Sequence, residues 1–204
     1  MFDIAQAAIG MDGSGPVEFY PKGVNGALYA TMKYANGIVM TEQPFLEDNN
    51  DAQGIKFIGT KGWIEVARGY LACSDASKVP AEVAGRRPMT MAEMRQRMAE
   101  FEQQQTAAQR SRRSEQNRAG ALQFEISSPH MQNFVDCVRS RKNPIAPVEV
   151  GASTNTLCCL ANIARELNRV VNWDPATLSF VNDKEAEAHR LYRYEYRRPY
   201  KLPC

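Results

Sequence analysis

The sequence predicts an α+β fold with an open, predominantly antiparallel sheet and helices packed on one face. Three observations support this prediction. Residues 16–72 contain short β-type segments separated by turns, residues 128–168 carry apolar residues at helical spacing, and short strands return after residue 170. The 204 residues, of which 44% are hydrophobic, suffice for one buried core. We therefore expect a single domain over residues 1–204.

The β-rich region contains two predicted hairpins. The strand Val17–Tyr20 precedes a hairpin with arms Leu28–Tyr34 and Ile38–Thr41. Its Asn36-Gly37 pair is typical of a type I′ turn, which needs two positive φ angles. The second hairpin joins Ile55–Ile58 to Trp63–Val66. Together these segments predict one meandering sheet, which grows to six or more strands with those that follow residue 170.

Alternation along the first arm assigns its residues to two faces. The face toward the helices carries Leu28, Ala30, Met32 and Tyr34. The opposite face carries Tyr29, Thr31 and Lys33, and we expect a partner subunit or another domain to cover it.

The predicted helices follow the apolar periodicity. Residues 2–9 form the last turns of a helix that stops at Gly10, so we expect the chain to begin inside an element. Ser128-Pro129 starts a helix whose buried stripe comprises Met131, Phe134, Val135 and Val138. A helix over Glu149–Asn168 faces inward with Leu157, Leu160, Ala161, Ala164 and Leu167. Later elements are the strands Val170–Trp173 and Phe180–Val181 and a helix over Asp183–Leu191.

Residues 86–123 differ in composition from the rest of the chain. Glu, Gln, Arg, Ala and Met dominate, which predicts a low-complexity, helix-favouring insert on the surface. Glutamates dilute its arginines and Phe101 is its one aromatic residue, so a solvated helix is favoured over a nucleic-acid surface.

Charge and cysteine content exclude several classes of partner and compartment. A net charge of +2 does not favour nucleic acid or an anionic membrane, and no apolar run reaches the roughly 18 residues of a membrane span. The five cysteines form no C-x-x-C pair, which favours reduced thiols in the cytoplasm. An export signal upstream of Met1 would change that localisation.

The residue types that carry cofactors and metals are sparse. Gly10, Gly13 and Gly15 precede Pro16 and a strand, whereas a dinucleotide site needs a strand before its glycines and a helix after them. Two histidines are too few for a histidine-rich metal site. We predict no cofactor-binding and no metal-binding residue in this chain.

Two residues carry a binding hypothesis by position alone. His130, in the first turn of a helix, would be held neutral and could hydrogen-bond a ligand hydroxyl, and the alternative is a surface or capping histidine. Arg68, just after the second hairpin, could orient a polar substrate, and the alternative is an ordinary ion pair. His189 is expected on a solvated helix face.

Several blocks, in order, resemble the C-terminal domain of bacterial-type Gfo/Idh/MocA oxidoreductases. They are Gly54-Ile55-Lys56-Phe57-Ile58-Gly59-Thr60, His130-x-x-Asn133-Phe134-x-Asp136-Cys137, Asn162-Ile163-Ala164, Trp173-Asp174-Pro175 and Phe180-Val181-Asn182-Asp183. The resemblance covers nearly the whole chain apart from the 86–123 insert.

The resemblance implies a two-domain parent enzyme. Its N-terminal Rossmann domain binds NAD(P), and the open sheet of its C-terminal domain shapes a sugar or polyol site and builds the dimer. A Lys of a Glu-Lys-Pro motif and an Asp-x-x-x-His pair would carry hydride transfer. The segment from Phe2 to Gln6 resembles the one just after that His, so these catalytic residues, like the Rossmann domain, would lie upstream of Met1.

The candidate substrate-binding residues are therefore Arg68 and His130, chosen by position, and Asp3, which lies in the segment that resembles the one just after the family His. Relatives of this type often carry His-Arg where this chain has Ala152 and Ser153, and a His at Cys159. If those histidines contact substrate, binding here is altered.

The function predicted from sequence is the substrate-binding and dimerisation portion of an NAD(P)-dependent oxidoreductase that acts on a sugar or polyol. Alone, the chain would bind no cofactor and carry no catalytic residue, and NAD(P) is implied for the full-length parent. Its expected partners are a second copy through the open sheet face, the missing Rossmann domain and a small sugar or polyol. The alternative is a stand-alone, non-catalytic binding or assembly module derived from the same domain.

Overall fold

The computed structural model describes residues 1–45, 53–104, 130–193 and 195–201. In chain order its helices and strands are α1 (Phe2–Ala8), β1 (Pro16–Tyr20), β2 (Thr31–Tyr34), β3 (Val39–Thr41), β4 (Gly54–Gly59), β5 (Gly62–Ala67), β6 (Tyr70–Cys73), α2 (Met91–Gln104), α3 (His130–Ser140), α4 (Val148–Leu167), β7 (Val171–Asp174), β8 (Ser179–Phe180) and α5 (Lys184–Glu187). Short 3-10 turns lie at Val24–Gly26 and Ala76–Lys78. No helix in these ranges is both long and apolar enough to cross a membrane.

The chain forms two compact units. The first, here the core unit, comprises Phe2–Pro44 and Val148–Cys204, and the second, here the inserted unit, comprises Met1 and Phe45–Pro147. The described strands form one antiparallel sheet in each unit, ordered β3-β2-β1-β7-β8 and β4-β5-β6. The α+β class is therefore confirmed. The prediction of one sheet of six or more strands is wrong, because period-2 patterning identifies strands without saying which of them pair.

The core unit packs its sheet against α4. Phe19, Met32 and Val171 are fully buried in the sheet. They pack against a helical stripe at spacings of three and four residues: Leu157, Leu160, Ala161, Ile163 and Ala164. The predicted inward face of this helix is confirmed, with Leu167 partly buried at its margin.

The first hairpin differs from its prediction at the turn. Gly37 has φ +86° but Asn36 does not have positive φ, so the turn is not type I′. Gly37 N–H donates to the Tyr34 carbonyl (2.9 Å), and Tyr34 N–H donates to the Ile38 carbonyl (2.9 Å). These hydrogen bonds define a three-residue loop, residues 35–37, which ends in a left-handed glycine. A type I′ turn is needed when the loop has two residues, and this loop has three.

The two predicted faces of this hairpin are also only partly correct. Ala30, Met32 and Tyr34 are buried as expected, but the strand begins at Thr31 and Leu28 is 40% exposed. Residues 28–30 precede the strand, so alternation does not apply to them, and Tyr29 lies on the same side as α4 instead of opposite it. Thr31 is buried within the unit, where its hydroxyl donates to the Val24 carbonyl (2.7 Å).

The inserted unit confirms the second hairpin. β4 and β5 pair in register from Gly54↔Ala67 to Gly59↔Gly62, and β6 extends the sheet. Part of the predicted helical insert is present as α2, while residues 105–123 of that insert and the predicted Ser128-Pro129 helix start lie outside the described residues.

The predicted buried stripe of α3 is wrong. Met131 is 73% exposed, Phe134 is 61% exposed and Val138 is also exposed, while Val135 is half-buried. Helical spacing of apolar residues aligns them on one face but does not supply the surface that would cover that face.

Candidate functional site

The core unit contains a cleft of about 250 Å³ between α4 and the segment before β2. We call it the Glu42 cleft. It is lined by Phe2, Tyr29, Ala30, Glu42, Cys158, Ala161, Asn162 and Arg165.

Local folding explains why these residues meet. Cys158, Ala161, Asn162 and Arg165 recur at i, i+3, i+4 and i+7, so they share one face of α4 beside its buried stripe. The opposite wall is held by backbone pairing just before β2 and just after β3. Leu28 N–H donates to the Glu42 carbonyl (2.6 Å), and Glu42 N–H donates to the Ala30 carbonyl (3.0 Å).

Glu42 and Arg165 give the cleft one group of each charge. Burial raises the pKa of the Glu42 carboxyl above its ordinary value, and the charge of Arg165 acts in the opposite direction. The Arg165 guanidinium also lies over the Tyr29 ring, 5.8 Å from its centroid. This contact fixes an aromatic face and a cation side by side.

Cys158 places a thiol in the cleft, and this thiol is not activated as a nucleophile. Burial raises the pKa of this thiol, and the neutral thiol is neither an effective nucleophile nor a metal ligand. Within the described ranges no three His, Cys, Asp or Glu side chains are grouped as metal ligands. The cleft therefore combines a carboxyl, a guanidinium and an amide, which suits it to binding a polar molecule.

A buried polar network fixes α1 next to the sheet. Gln6 is fully buried, accepts from the Tyr34 hydroxyl (3.3 Å) and donates to the Ser153 hydroxyl (3.4 Å). Ser153 in turn donates to the Ser14 carbonyl (3.0 Å). Burial raises the pKa of Tyr34 to about 12, so the phenol stays protonated. Ser153, one of the departures from the family pattern, thus joins α1 to α4.

The three residues predicted from sequence belong to two different units of the structure. Asp3 is exposed in the first turn of α1, in the core unit, and does not line the Glu42 cleft. Arg68 and His130 lie in the inserted unit. Arg68 donates to the Met98 sulfur (3.7 Å), and its predicted ion pair is not among those of the described residues. His130 is the first residue of α3, and its side chain lies outside the described part of the chain.

His189 also differs from its predicted solvated position. Its side chain is only 11% exposed, and its Nε2 lies 3.2 Å from Glu166. The segment that contains His189 and Arg190 contacts Glu166 of α4, and this contact shields the imidazole from solvent.

Sequence reasoning missed Glu42, Tyr29 and Arg165. One signal was present in α4, where Asn162 and Arg165 interrupt an otherwise apolar or small helix surface. Glu42 carried no comparable signal, because it follows β3 as an ordinary polar loop residue and acquires its setting only through tertiary contact.

The described residues do not fit a dinucleotide. Gly10 has φ +71° and ends α1, and the chain continues into β1, so a helix precedes these glycines and a strand follows them. Every strand pair in the described ranges is antiparallel, whereas a dinucleotide fold uses parallel strands with helical crossovers. We therefore assign no part of NAD(P) binding to these residues.

Comparison with protein families gives one match. A family model described as "Oxidoreductase family, C-terminal alpha/beta domain" matches residues 90–202, which is more than half of the chain. Comparisons with curated proteins and with solved structures gave no match.

Proposed function

Because the chain belongs to the Gfo/Idh/MocA oxidoreductase family through its C-terminal α/β domain, we propose that it is the substrate-binding portion of an NAD(P)-dependent oxidoreductase that acts on a sugar or polyol. The Glu42 cleft is the observation that carries this proposal. A Rossmann domain outside this sequence would supply NAD(P), the Lys and the Asp-x-x-x-His pair.

The side chains of the cleft match the chemistry of a polyhydroxylated ligand. The Glu42 carboxylate accepts hydrogen bonds from hydroxyl groups, Arg165 donates them, and Asn162 does both. The exposed face of Tyr29 offers an apolar surface for the C–H groups of a sugar ring. A cleft of about 250 Å³ holds a molecule of monosaccharide size rather than a polymer.

The proposed role of these residues is binding and orientation. Phe2 contributes to the cleft, and the segment from Phe2 to Gln6 resembles the one just after the catalytic His of the family. In the parent enzyme, the part of the cleft formed by Phe2 would therefore follow the catalytic His closely in the sequence. Positioning of this kind lowers the barrier by fixing the reacting carbon before the chemical step.

We also propose that the chain assembles with a second copy through its open sheet face and that it resides in the cytoplasm. The first part follows from the family resemblance, and the second from the cysteine spacing. The exposed Lys33 and Val39 on the β2–β3 hairpin remain accessible to a partner within the described structure.

Ligand-observed NMR on the full 204-residue chain tests the substrate site. We expect glucose, sorbitol or myo-inositol to bind in the millimolar range and Glu42→Gln to weaken that binding about tenfold, because a charged acceptor is lost. Glu149→Gln is the matched control, since Glu149 lies exposed on α4 outside the cleft. No binding by any of the three probes, or equal weakening by both variants, would overturn the proposal.

A further inference from the structure

The inserted unit contains a second cleft, of about 420 Å³, and its chemistry differs from that of the Glu42 cleft. It lies between α2 and the loop before it, and three arginines line it: Arg86, Arg87 and Arg97. We call it the arginine cleft. No part of the proposed sugar site uses it.

The wall formed by α2 is fixed by a capping box. Thr90 Oγ1 accepts from the Glu93 N–H (3.1 Å), and Glu93 accepts from the Thr90 N–H (2.9 Å). Glu93, Arg97 and Glu100 then recur at i, i+4 and i+7 and face the cleft together.

The floor of the cleft depends on a glycine. Gly69 has φ +71°, and a Cβ added there would lie 3.1 Å from Met89 Cε. Met89 in turn accepts a contact from the Arg97 guanidinium at its sulfur (3.6 Å). The floor is therefore apolar, with the guanidinium at its edge.

The three arginines differ in how their charge is used. Arg87 pairs with Glu93 and holds the pKa of that carboxyl down at about 2, so this pair is internally neutral. Arg86 and Arg97 are exposed, and neither belongs to an ion pair among the described residues. A thioether is a weak acceptor, so most of the hydrogen-bonding capacity of Arg97 remains available. Glu100 accepts from Gln96 (3.0 Å) and is the one opposing charge left.

We propose that the arginine cleft binds a small organic anion, with its phosphate or carboxylate group on Arg86 and Arg97 and its apolar part over Met89. Guanidinium groups present paired donors that match the oxygens of either anion, and such charge-assisted bonds are stronger than neutral ones. The lining carries one positive charge in excess, which suits a ligand with one or two negative charges.

Calorimetric titration of the full chain at constant ionic strength tests the site, with glycerol phosphate and succinate as probes. We expect at least one to bind, and the better probe distinguishes phosphate from carboxylate. Arg97→Gln should weaken binding about tenfold, because one charge-assisted contact is lost. Arg95→Gln, on the same helix but outside the cleft, should leave binding unchanged.

Glu100→Gln should change the affinity for the anion in the direction opposite to Arg97→Gln. The amide keeps an oxygen that can accept from Gln96 but removes the opposing charge, so the anion should bind about two- to fivefold more tightly. A variant that gains affinity cannot owe that result to misfolding. Absence of binding by both probes, or equal effects of Arg97→Gln and Arg95→Gln, would overturn the proposal, and neither outcome bears on sugar binding at Glu42.

Discussion

Glu42 illustrates how a single residue can connect stability with binding. Its carboxyl is half-buried, and burial raises its pKa above 4.5. A folded-state pKa above the unfolded one means that the native state binds the proton more tightly. Glu42 therefore favours folding at low pH, and this contribution is lost as the pH rises through the raised pKa.

The first prediction concerns Glu42→Gln and pH. Glutamine cannot ionise, so the free energy of unfolding of the variant should rise relative to wild type as the pH increases from about 4 to 7. Urea denaturation at a series of pH values measures this difference. Glu149→Gln, at an exposed position, should run parallel to wild type, and a Glu42→Gln curve that is also parallel would contradict the prediction.

Ser153 shows what a single departure from a family pattern can mean. In the sequence, Ser153 stands where relatives of this type often carry an arginine. In the structure its hydroxyl joins Gln6 of α1 to the Ser14 carbonyl. The sequence identified an unusual position, but only the tertiary contact shows that its hydroxyl is used to hold α1.

Among the elements, the β2–β3 hairpin depends on the backbone angle of one glycine. Gly37 ends its loop at φ +86°, a left-handed conformation that costs other residues about 1 kcal/mol or more. Gly13 lies in a loop without that constraint. At both positions an added Cβ would meet nothing within 4 Å.

The second prediction compares alanine at these two glycines. Gly37→Ala should lower the free energy of unfolding by about 1 kcal/mol, because only the backbone conformation opposes the new methyl group. Gly13→Ala should be neutral or slightly stabilising, since it restricts the unfolded chain. Chemical denaturation of both variants measures the difference, and similar losses would show that the left-handed angle does not matter.

The features of each element that depend on residues close in sequence were predictable, whereas those that depend on tertiary contacts were not. The extent of α4 and its buried face were predictable because twenty residues of consistent periodicity determine both. The α3 helix was predictable as a helix but not in its burial, which depends on a covering surface. The Asn-Gly dipeptide indicated a turn but not its type, since loop length decides between a primed turn and a left-handed glycine.

At the scale of the whole molecule, the fold class was predictable from the sequence, but the pairing of the strands into sheets was not. The α+β class follows from the proportions of the two patterns, but the division into two sheets depends on long-range pairing, such as that of Phe19 with Val171. For the same reason, Asp3, Arg68 and His130 could each be selected by position, but position did not predict that they belong to two different units. The Glu42 cleft likewise unites residues from three separate parts of the sequence.

The third prediction concerns turnover by the chain as a whole. The described residues do not fit NAD(P), so calorimetric titration of NADH into the chain should give no heat of binding. Adding NAD+ and a family Rossmann domain as a separate polypeptide should produce sugar- or polyol-dependent NADH formation, measured by absorbance. NADH binding by the chain alone would contradict the assignment, and no activity with any added domain would favour the stand-alone module.

The pairing of β1 with β7 has a consequence for the order in which the protein can fold during synthesis. Strands β1 to β3 are synthesised before α4 and β7, which cover Phe19 and Met32 and follow them by more than 100 residues. Until then the hairpin presents a bare apolar face and an unpaired β1 edge. A nascent chain stalled before Val171 should therefore be a preferred client of chaperones that bind exposed strands.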